Sequence, residues 1–228
     1  MIEKQTPNNH ETANGAYGVL TAGNFKPILF STPMVQAILR GEKTQTRRIM
    51  QEQPPCQLLS CGTSGRYWAD NPEDLRAKYF RCKYEIGDIL WVRETWQHAK
   101  CLNINPEDEN YGFVYKADGQ PWEDYEHWTW KPSIFMPKEA ARIFLKITNI
   151  RVDRLNDISE SDAVAEGIVM NNTPHIGWYW MENVYSTDSP IMAYERLWQK
   201  INGEKSWAEN PFVWVYAFER TDAYFACS

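Results

Sequence analysis

Residues 38–48 read ILRGEKTQTRR, and the signals around this stretch decide how the chain folds. Upstream of it, Thr32 is a good amino-terminal helix cap and Pro33 suits the first helical position. Gly41 is able to adopt the left-handed conformation that ends a helix. These signals predict a short helix that leads into a polar strand. The helix should bury one face, because its apolar residues recur at helical spacing: Met34, Val35, Ile38 and Leu39.

Strand and helix patterns alternate along the rest of the chain. Runs rich in apolar and β-branched residues predict strands at 27–31, 89–96, 141–152 and 212–219. Cap residues and closing glycines predict two further helices, from Ser159 to Gly167 and from Ser189 to Gly203. In the first of these helices, Ala163 and Val164 are expected to face inward. This mixture of strands, short helices and long connections predicts the α+β class.

The predicted elements belong to one domain that is interrupted by longer segments. Residues 1–25 are polar and without a sustained period, so they are expected to form a flexible arm. The domain itself would span residues 26–222. Within it, the sequence predicts insertions at about 51–83, 98–131 and 168–189. The first is rich in proline and glycine turns and is expected to be irregular, as is the stretch after Gly177 in the third. The second is acidic and aromatic.

Composition limits the classes of function. The 228-residue chain has 43% hydrophobic residues, but no apolar run reaches the roughly 20 residues that span a bilayer. A cytoplasmic protein with no membrane partner is therefore expected. The net charge of −6 argues against extensive binding of duplex phosphates, although residues 40–48 supply a local basic pocket. The five cysteines lack metal-site spacing, so the sequence predicts reduced thiols and no metal or cofactor.

The residues after the first helix carry a resemblance to a known family. Gly41, Lys43, Thr44, Thr46 and Arg48 reproduce Gly-x-Lys-Thr-x-Thr-x-Arg, a motif similar to that of bacterial N4-acetylcytidine amidohydrolases in the ASCH family. ASCH domains are relatives of the PUA domains that bind RNA. The order of elements also resembles longer ASCH-type proteins of phages and prophages. The resemblance covers residues 27–50, 84–97, 130–168 and 190–220, and it implies a small PUA-like β-barrel surrounded by short helices.

The resemblance also implies catalytic roles for Lys43, Thr46 and Glu166. Hydrolysis of an amide needs a nucleophile, a proton donor and positive charge for the oxyanion. Thr46 would attack or position a water, and Lys43 would act as base if burial beside Arg47 or Arg48 lowers its pKa. Glu166 closes a short helix, whose negative end disfavours a charged carboxylate and so suits a proton donor. On an ideal strand Lys43 and Thr46 point to opposite faces, so the chain after Gly41 must bend.

A second charged pair, Arg93 and Glu94, interrupts the apolar strand predicted at 89–96. Either this is an edge strand whose charges face water, or one of the two lines the same pocket as Lys43. On the second alternative Arg93 and Glu94 bind substrate together with Arg47 and Arg48. Aromatic residues of the 98–131 segment either stack on bases or pack in the core: Trp122, Tyr125, Trp128 and Trp130.

These patterns support three hypotheses for function. The first is an amidohydrolase that acts on an acylated nucleobase or nucleoside similar to N4-acetylcytidine. The alternative is a non-catalytic PUA-like module that binds RNA or a modified base, with Lys43, Arg47 and Arg48 holding phosphate. A ribonuclease is a third hypothesis, which no histidine pair or metal cluster supports. In each case the expected ligand is a nucleoside or RNA.

Overall fold

The computed structural model describes residues 24–55, 59–60, 66–69, 78–98, 112–119, 129–173, 176–181, 184–186 and 189–221. The fold is α+β, as predicted. The strands are β1 (Phe25–Leu29), β2 (Gln45–Ile49), β3 (Leu59–Ser60), β4 (Arg66–Ala69), β5 (Lys78–Arg81), β6 (Ile89–Arg93), β7 (Trp96–His98), β8 (Phe113–Tyr115), β9 (Phe144–Arg154), β10 (Val169–Thr173), β11 (Ile176–Met181), β12 (Val184–Ser186) and β13 (Phe212–Thr221). The helices of the described residues are α1 (Thr32–Leu39), α2 (Glu160–Ala165) and α3 (Pro190–Asn202).

Five strands form the main sheet in the order β1-β6-β9-β13-β2. β1 runs parallel to β6, whereas the other neighbours are antiparallel. In this order β13, the last strand of the chain, lies inside the sheet between β9 and β2, and β1 and β2 lie at its edges. No strand ladder joins these two edge strands, both of which are fully described. They are nevertheless close, because Nη2 of Arg48 on β2 donates a hydrogen bond of 2.8 Å to the carbonyl oxygen of Leu29 on β1.

Alternate residues of β13 pack into two different hydrophobic clusters, since successive side chains of a strand point to opposite faces. Trp214 and Tyr216 belong to the cluster that contains Val35 and Ile38 of α1. Val213 and Val215 pack with the buried face of α3 and with α2. The second cluster brings α2 and α3 against the same sheet near β2.

Helix ends follow local signals closely. The hydroxyl of Ser159 accepts a hydrogen bond of 3.1 Å from the backbone N–H of Asp162, and α2 begins at the next residue, as predicted. The cap of α3 by Ser189 is also confirmed. At α1 the cap residue is Ser31 rather than Thr32. Val164 was expected to face inward but is 46% exposed, because α2 is a single short segment whose buried contact is made by Ala163.

The segments 51–83 and 168–189 are not irregular in the residues that the structure describes, and that part of the prediction is wrong. In 51–83, strands β3, β4 and β5 form an antiparallel sheet, and in 168–189 strands β10, β11 and β12 form another. In 98–131, β8 pairs with β7. Short strands between glycine and proline turns carry little periodicity, so their pairing was not visible in the sequence. The aromatic residues Trp122, Tyr125 and Trp128 and the cysteines Cys56, Cys61, Cys101 and Cys227 lie outside the described residues.

Two boundaries of the predicted elements also change. An arm was predicted at 1–25, of which residues 1–23 lie outside the described residues. Phe25, the last residue of that range, is already the first residue of β1. The strand predicted at 89–96 ends at Arg93, and Trp96 begins the separate strand β7. Glu94 thus lies between two strands that belong to different sheets. Its side chain does not have to follow the alternation between the two faces that the strand residues of β6 follow.

Candidate functional site

Lys43 and Glu166 meet although they are far apart in the sequence. Lys43 follows the turn at Gly41, and Glu166 is the carboxyl-terminal cap of α2. An isolated backbone bridge joins the two residues, and the N–H of Thr44 donates to the carbonyl of Ala165 at 2.9 Å. These backbone contacts hold the side chains together. Nζ of Lys43 donates to the Oε2 atom of Glu166 at 2.9 Å and to its carbonyl oxygen at 2.7 Å.

The close approach at this bridge depends on Gly167. Its φ of +99° lies in the left-handed region that side chains disfavour. A β-carbon at this position would lie 2.6 Å from Cε of Met181, 3.2 Å from Cβ of Ala37 and 3.3 Å from Cβ of Lys43. Glycine therefore allows α2 to end directly against the turn that carries Lys43.

Arg47 extends the ion pair into a network. Its Nη1 atom lies 3.2 Å from Oε1 of Glu166, and its Nη2 atom lies 2.8 Å from Oδ2 of Asp162. Arg151 on β9 reaches the same Asp162 oxygen at 2.8 Å. The side chains of Lys43 and Arg47 are both fully buried. Each carboxylate of the network is thus held by two cations, which compensates the low polarity around it.

Burial and charge set the protonation chemistry of this network. Burial lowers the pKa of Lys43, and the positive charges of Arg48 and Arg47 lower it further, although Glu166 opposes both effects. This is the direction that the sequence predicted. Burial by itself would raise the pKa of Asp162, but Arg47 and Arg151 outweigh it and hold that pKa below its ordinary value. A lysine with a lowered pKa exchanges protons more readily near neutral pH.

A small cleft of about 110 Å³ opens beside the network, between β2 and α3. Thr46, Arg47, Arg48 and Glu166 line it from one side. Lys43 is not among the described residues that line the cleft, and its hydrogen bonds to Glu166 connect it to the cleft lining. The sequence raised the objection that Lys43 and Thr46 point apart. The structure resolves it in part, because Lys43 precedes β2 and the Glu166 carboxylate connects it to the cleft that Thr46 lines. The side of the cleft formed by α3 contributes Tyr194, Leu197, Trp198, Ile201 and Asn202.

Two residues that line this cleft each carry a buried donor without a hydrogen-bond acceptor in the described part of the chain. The donors are Nε of Arg47 and Nε1 of Trp198. An unsatisfied buried donor costs about 1–3 kcal/mol, so such groups are uncommon in folded proteins. Two of them on residues that line one cleft, together with the Glu166 carboxylate, make the cleft suited to a ligand that carries an acceptor oxygen.

The other predicted substrate-binding residues are distributed over different places. Arg48 lines the cleft and also a larger groove on the other side of β2. Arg93 lines this groove and is not among the described residues that line the cleft. Glu94 is completely buried and receives two hydrogen bonds from Arg142, at 2.9 Å and 3.0 Å. Neither the cleft nor the groove includes Glu94 among its described lining residues. Its geometry is that of a structural ion pair.

Sequence reasoning missed the contribution of α3 and of Asp162 to this site. The pattern of α3 marked Tyr194 and Trp198 as residues of a buried helix face, which they are, but gave no sign that the face borders a cleft. Asp162 was recognised only as a member of the helix-capping sequence. Neither role has a local signal, because each depends on a strand that is remote in the chain.

Comparisons with known proteins do not extend this picture. No protein-family model matches the chain, and comparisons with curated proteins and with solved structures gave no match. None of the helices in the described residues is long and apolar enough to span a membrane. The resemblance to the ASCH family therefore rests on the motif at residues 41–48 and on the order of elements around it.

Proposed function

We propose that this protein is an amidohydrolase that removes an acyl group from a nucleobase or nucleoside of the N4-acetylcytidine type. The observation that carries the proposal is the cleft between β2 and α3. It combines a buried carboxylate coupled to a lysine of lowered pKa with a hydroxyl group and two buried donors that lack an acceptor in the described residues. Amide hydrolysis needs these three kinds of group.

The size of the cleft suggests which part of the substrate enters it. Since a water molecule occupies about 30 Å³ in the liquid, a cleft of 110 Å³ corresponds to about four waters. This volume suits an acyl group and the edge of the base that carries it. The sugar would then lie outside the cleft.

The residues divide the reaction as follows. The acyl oxygen accepts hydrogen bonds from Nε of Arg47 and Nε1 of Trp198, which stabilise the negative charge that develops on it. An oxygen nucleophile attacks the acyl carbon, either the Thr46 hydroxyl or a water that it positions, and the Glu166–Lys43 pair takes up the proton that the nucleophile loses. The carbon–nitrogen bond then breaks, and Glu166 returns that proton to the leaving nitrogen. If Thr46 is the nucleophile, a water then hydrolyses the acyl-threonine ester and releases the carboxylic acid. Lys43 does not reach the substrate and acts by exchanging a proton with Glu166.

A PUA-like barrel is part of the same proposal. The hydrogen bond between Arg48 and Leu29 brings the two edge strands of the main sheet together, as curling of the sheet toward closure would. Phe30 follows β1 and lies beneath two cations from the other edge, Nζ of Lys43 at 5.6 Å and the guanidinium of Arg48 at 5.5 Å. These contacts support a sheet curved around the site.

The non-catalytic binding module is the second candidate. In that case Lys43, Arg47 and Arg48 were expected to hold phosphate. Lys43 and Arg47 are instead buried and paired with carboxylates, which leaves Arg48 as the exposed cation of the three. The observation that favours a binding role is the larger groove, to which Arg48 also belongs.

The decisive experiment is to incubate the purified protein with N4-acetylcytidine and to follow the release of cytidine and acetate by chromatography. The informative variants are Glu166→Gln and Thr46→Val, because each keeps the shape of the side chain and removes its chemistry. We expect turnover by the parent protein and a loss of at least about 100-fold in both variants. Glu42→Gln is the control. Glu42 forms an exposed ion pair with Arg40, and it is not among the described residues that line the cleft.

A negative result is equally informative when folding is verified. If the parent shows a cooperative thermal transition and yet releases no cytidine at high enzyme concentration, this substrate is excluded. A panel of other acylated nucleosides, including N6-acyladenosine, then tests the broader class. Absence of turnover across the panel would overturn the proposal of an amidohydrolase.

A further inference from the structure

The larger groove, on the far side of β2 from α3, has the size of a ligand site. Its volume is about 820 Å³, within the range of roughly 300–1,000 Å³ that is usual for small-molecule pockets. One wall is formed by the edge strands β1 and β2, and the other by β5 and the residues that follow it. The groove meets the cleft at Arg48 and Ile49, which line both.

Positive charge dominates the groove even though the whole chain is acidic. Arg48, Arg81, Lys83 and Arg93 line it, whereas Glu52 is the carboxylate among its described lining residues. Arg48, Arg81 and Lys83 are exposed to solvent. This local excess of cations contrasts with the net charge of −6 for the chain.

These four cations differ from several other arginines of the described residues, which are paired with carboxylates. Arg47, Arg142 and Arg151 are each paired with carboxylates. In the described residues, no ion pair joins Arg48, Arg81, Lys83 or Arg93 to a carboxylate. No carboxylate neutralises their charges, although Arg48 and Arg93 each donate one hydrogen bond to a backbone carbonyl, of Leu29 and of Ile134 respectively. The positive charges line one concave surface. An anion bound there would contact several cations at once, and their attractions would add.

Apolar and aromatic surface lies beside this charge. Tyr79 is 64% exposed, and Leu29 and Ile49 are each 41% exposed, although all three line the groove. Exposed aromatic and aliphatic faces next to cations are the combination that binds a base and its phosphate together. A simple inorganic anion would use the cations and leave the apolar surface uncovered.

We infer that this groove is a nucleotide-binding site, in which Arg81, Lys83 and Arg93 contact phosphate and Tyr79 contacts a base or sugar. The ligand class is a phosphate-bearing nucleotide, either a single nucleotide or one within a single strand. One of these cations, Arg81, lies on β5, within the segment 51–83 that was predicted to be irregular. This inference concerns binding alone, and it does not require that the cleft hydrolyses an amide.

Isothermal titration calorimetry with cytidine, cytidine 5′-monophosphate and an oligocytidylate of eight nucleotides tests it. We expect the monophosphate to bind about tenfold or more tightly than cytidine. The double variant Arg81→Ala/Lys83→Ala should abolish this difference and leave cytidine binding unchanged. Lys146→Ala is the matched control, because Lys146 is an exposed lysine on β9 that is not part of the described groove lining.

The octamer distinguishes the two sources of phosphate. If a single strand is the natural ligand, the octamer binds more tightly than the monophosphate. The double variant then lowers the slope of log affinity against log salt by about 1.4, since each phosphate contact in a single strand contributes about 0.7. Equal affinities for octamer and monophosphate identify a single nucleotide.

Two results would overturn the inference. One is a monophosphate that binds no more tightly than cytidine, and the other is an equal loss of affinity in Lys146→Ala and in the double variant. Neither result depends on turnover, because cytidine monophosphate carries no acyl group. If nucleotides bind but no amide is hydrolysed, only the amidohydrolase proposal is rejected. If an amide is hydrolysed but nucleotides do not bind, only the nucleotide-binding groove is rejected.

Discussion

Nζ of Lys43 lies 2.9 Å from Oε2 of Glu166, and neither side chain has more than 4% of its surface exposed. A buried ion pair of this kind does not by itself stabilise a fold, because removing two charges from water costs about as much as their attraction returns. The pair is therefore weak evidence for stability, and its Glu166 partner lines the cleft. The pair nevertheless makes the fold sensitive to loss of either partner.

Lys43→Met should destabilise the fold strongly. The substitution keeps the length of the side chain but leaves Glu166 buried with Arg47 as its remaining cation, and we expect a loss of about 3 kcal/mol in the free energy of unfolding. Urea denaturation measures it. Arg40→Met is the matched control, because Arg40 forms an exposed pair with Glu42 and should cost less than about 1 kcal/mol. Equal effects of the two substitutions would contradict the buried role of Lys43.

Trp198→Phe should lower activity and leave folding stability nearly unchanged. The change removes Nε1, which lacks an acceptor within the described residues, and keeps most of the buried ring. Folding stability should change by less than about 1 kcal/mol, since no hydrogen bond is lost. If Nε1 donates to the acyl oxygen in the transition state, kcat should fall about 100-fold. An unchanged kcat on the substrate that the parent hydrolyses would exclude this role.

Gly167→Ala should be more costly than Gly203→Ala. Both glycines have φ of +99°, which side chains disfavour, so each substitution incurs backbone strain of about 1–3 kcal/mol. A β-carbon at Gly167 also meets Met181, Ala37 and Lys43, whereas nothing lies within 4 Å of one at Gly203. We expect Gly167→Ala to lose at least about 1 kcal/mol more in urea denaturation. Similar losses would mean that the Met181 side chain moves aside without cost.

Asp162→Asn should reduce stability in a pH-dependent manner. The pKa of Asp162 is lower in the folded protein than in the unfolded chain, because Arg47 and Arg151 outweigh the effect of burial. The charged carboxylate therefore contributes stability that is fully present above about pH 4, the ordinary range for this group. The contribution disappears as pH falls through the lowered pKa of the folded state. Unfolding curves of parent and variant should accordingly differ at pH 7 and converge in acid.

Glu94→Ala distinguishes a structural carboxylate from a substrate-binding one. Burial raises the pKa of Glu94, and the two hydrogen bonds from Arg142 oppose this effect. Removal of the carboxylate leaves Arg142 with Asp118 as its remaining partner, and we expect a loss of about 3–5 kcal/mol. Turnover per folded molecule should remain unchanged at a temperature where the variant is folded. A raised KM would instead indicate that Glu94 contributes to substrate binding.

Much of the secondary structure was predictable because its signals are local. The hydroxyl of Ser159 caps α2 and that of Ser189 caps α3, each through a backbone N–H three residues away. The turn at Gly41 and the alternation of β13 likewise depend on neighbours within a few residues. The candidate residues Lys43, Thr46 and Glu166 came from a motif and a helix end, which are local features too.

Which of these residues meet depends on contacts between distant parts of the chain. Lys43 and Glu166 are 123 residues apart, and they touch because β13 lies between β9 and β2 and because α2 ends against the turn after α1. The same packing separated Glu94 from this network and joined it to Arg142, and it placed Arg93 in the groove. By itself, the sequence determined the helices, the strands of the main sheet and the chemical groups that they carry. The pairing of strands and the burial of charges decided which of those groups form a site, since both depend on contacts between parts of the chain that no local pattern connects.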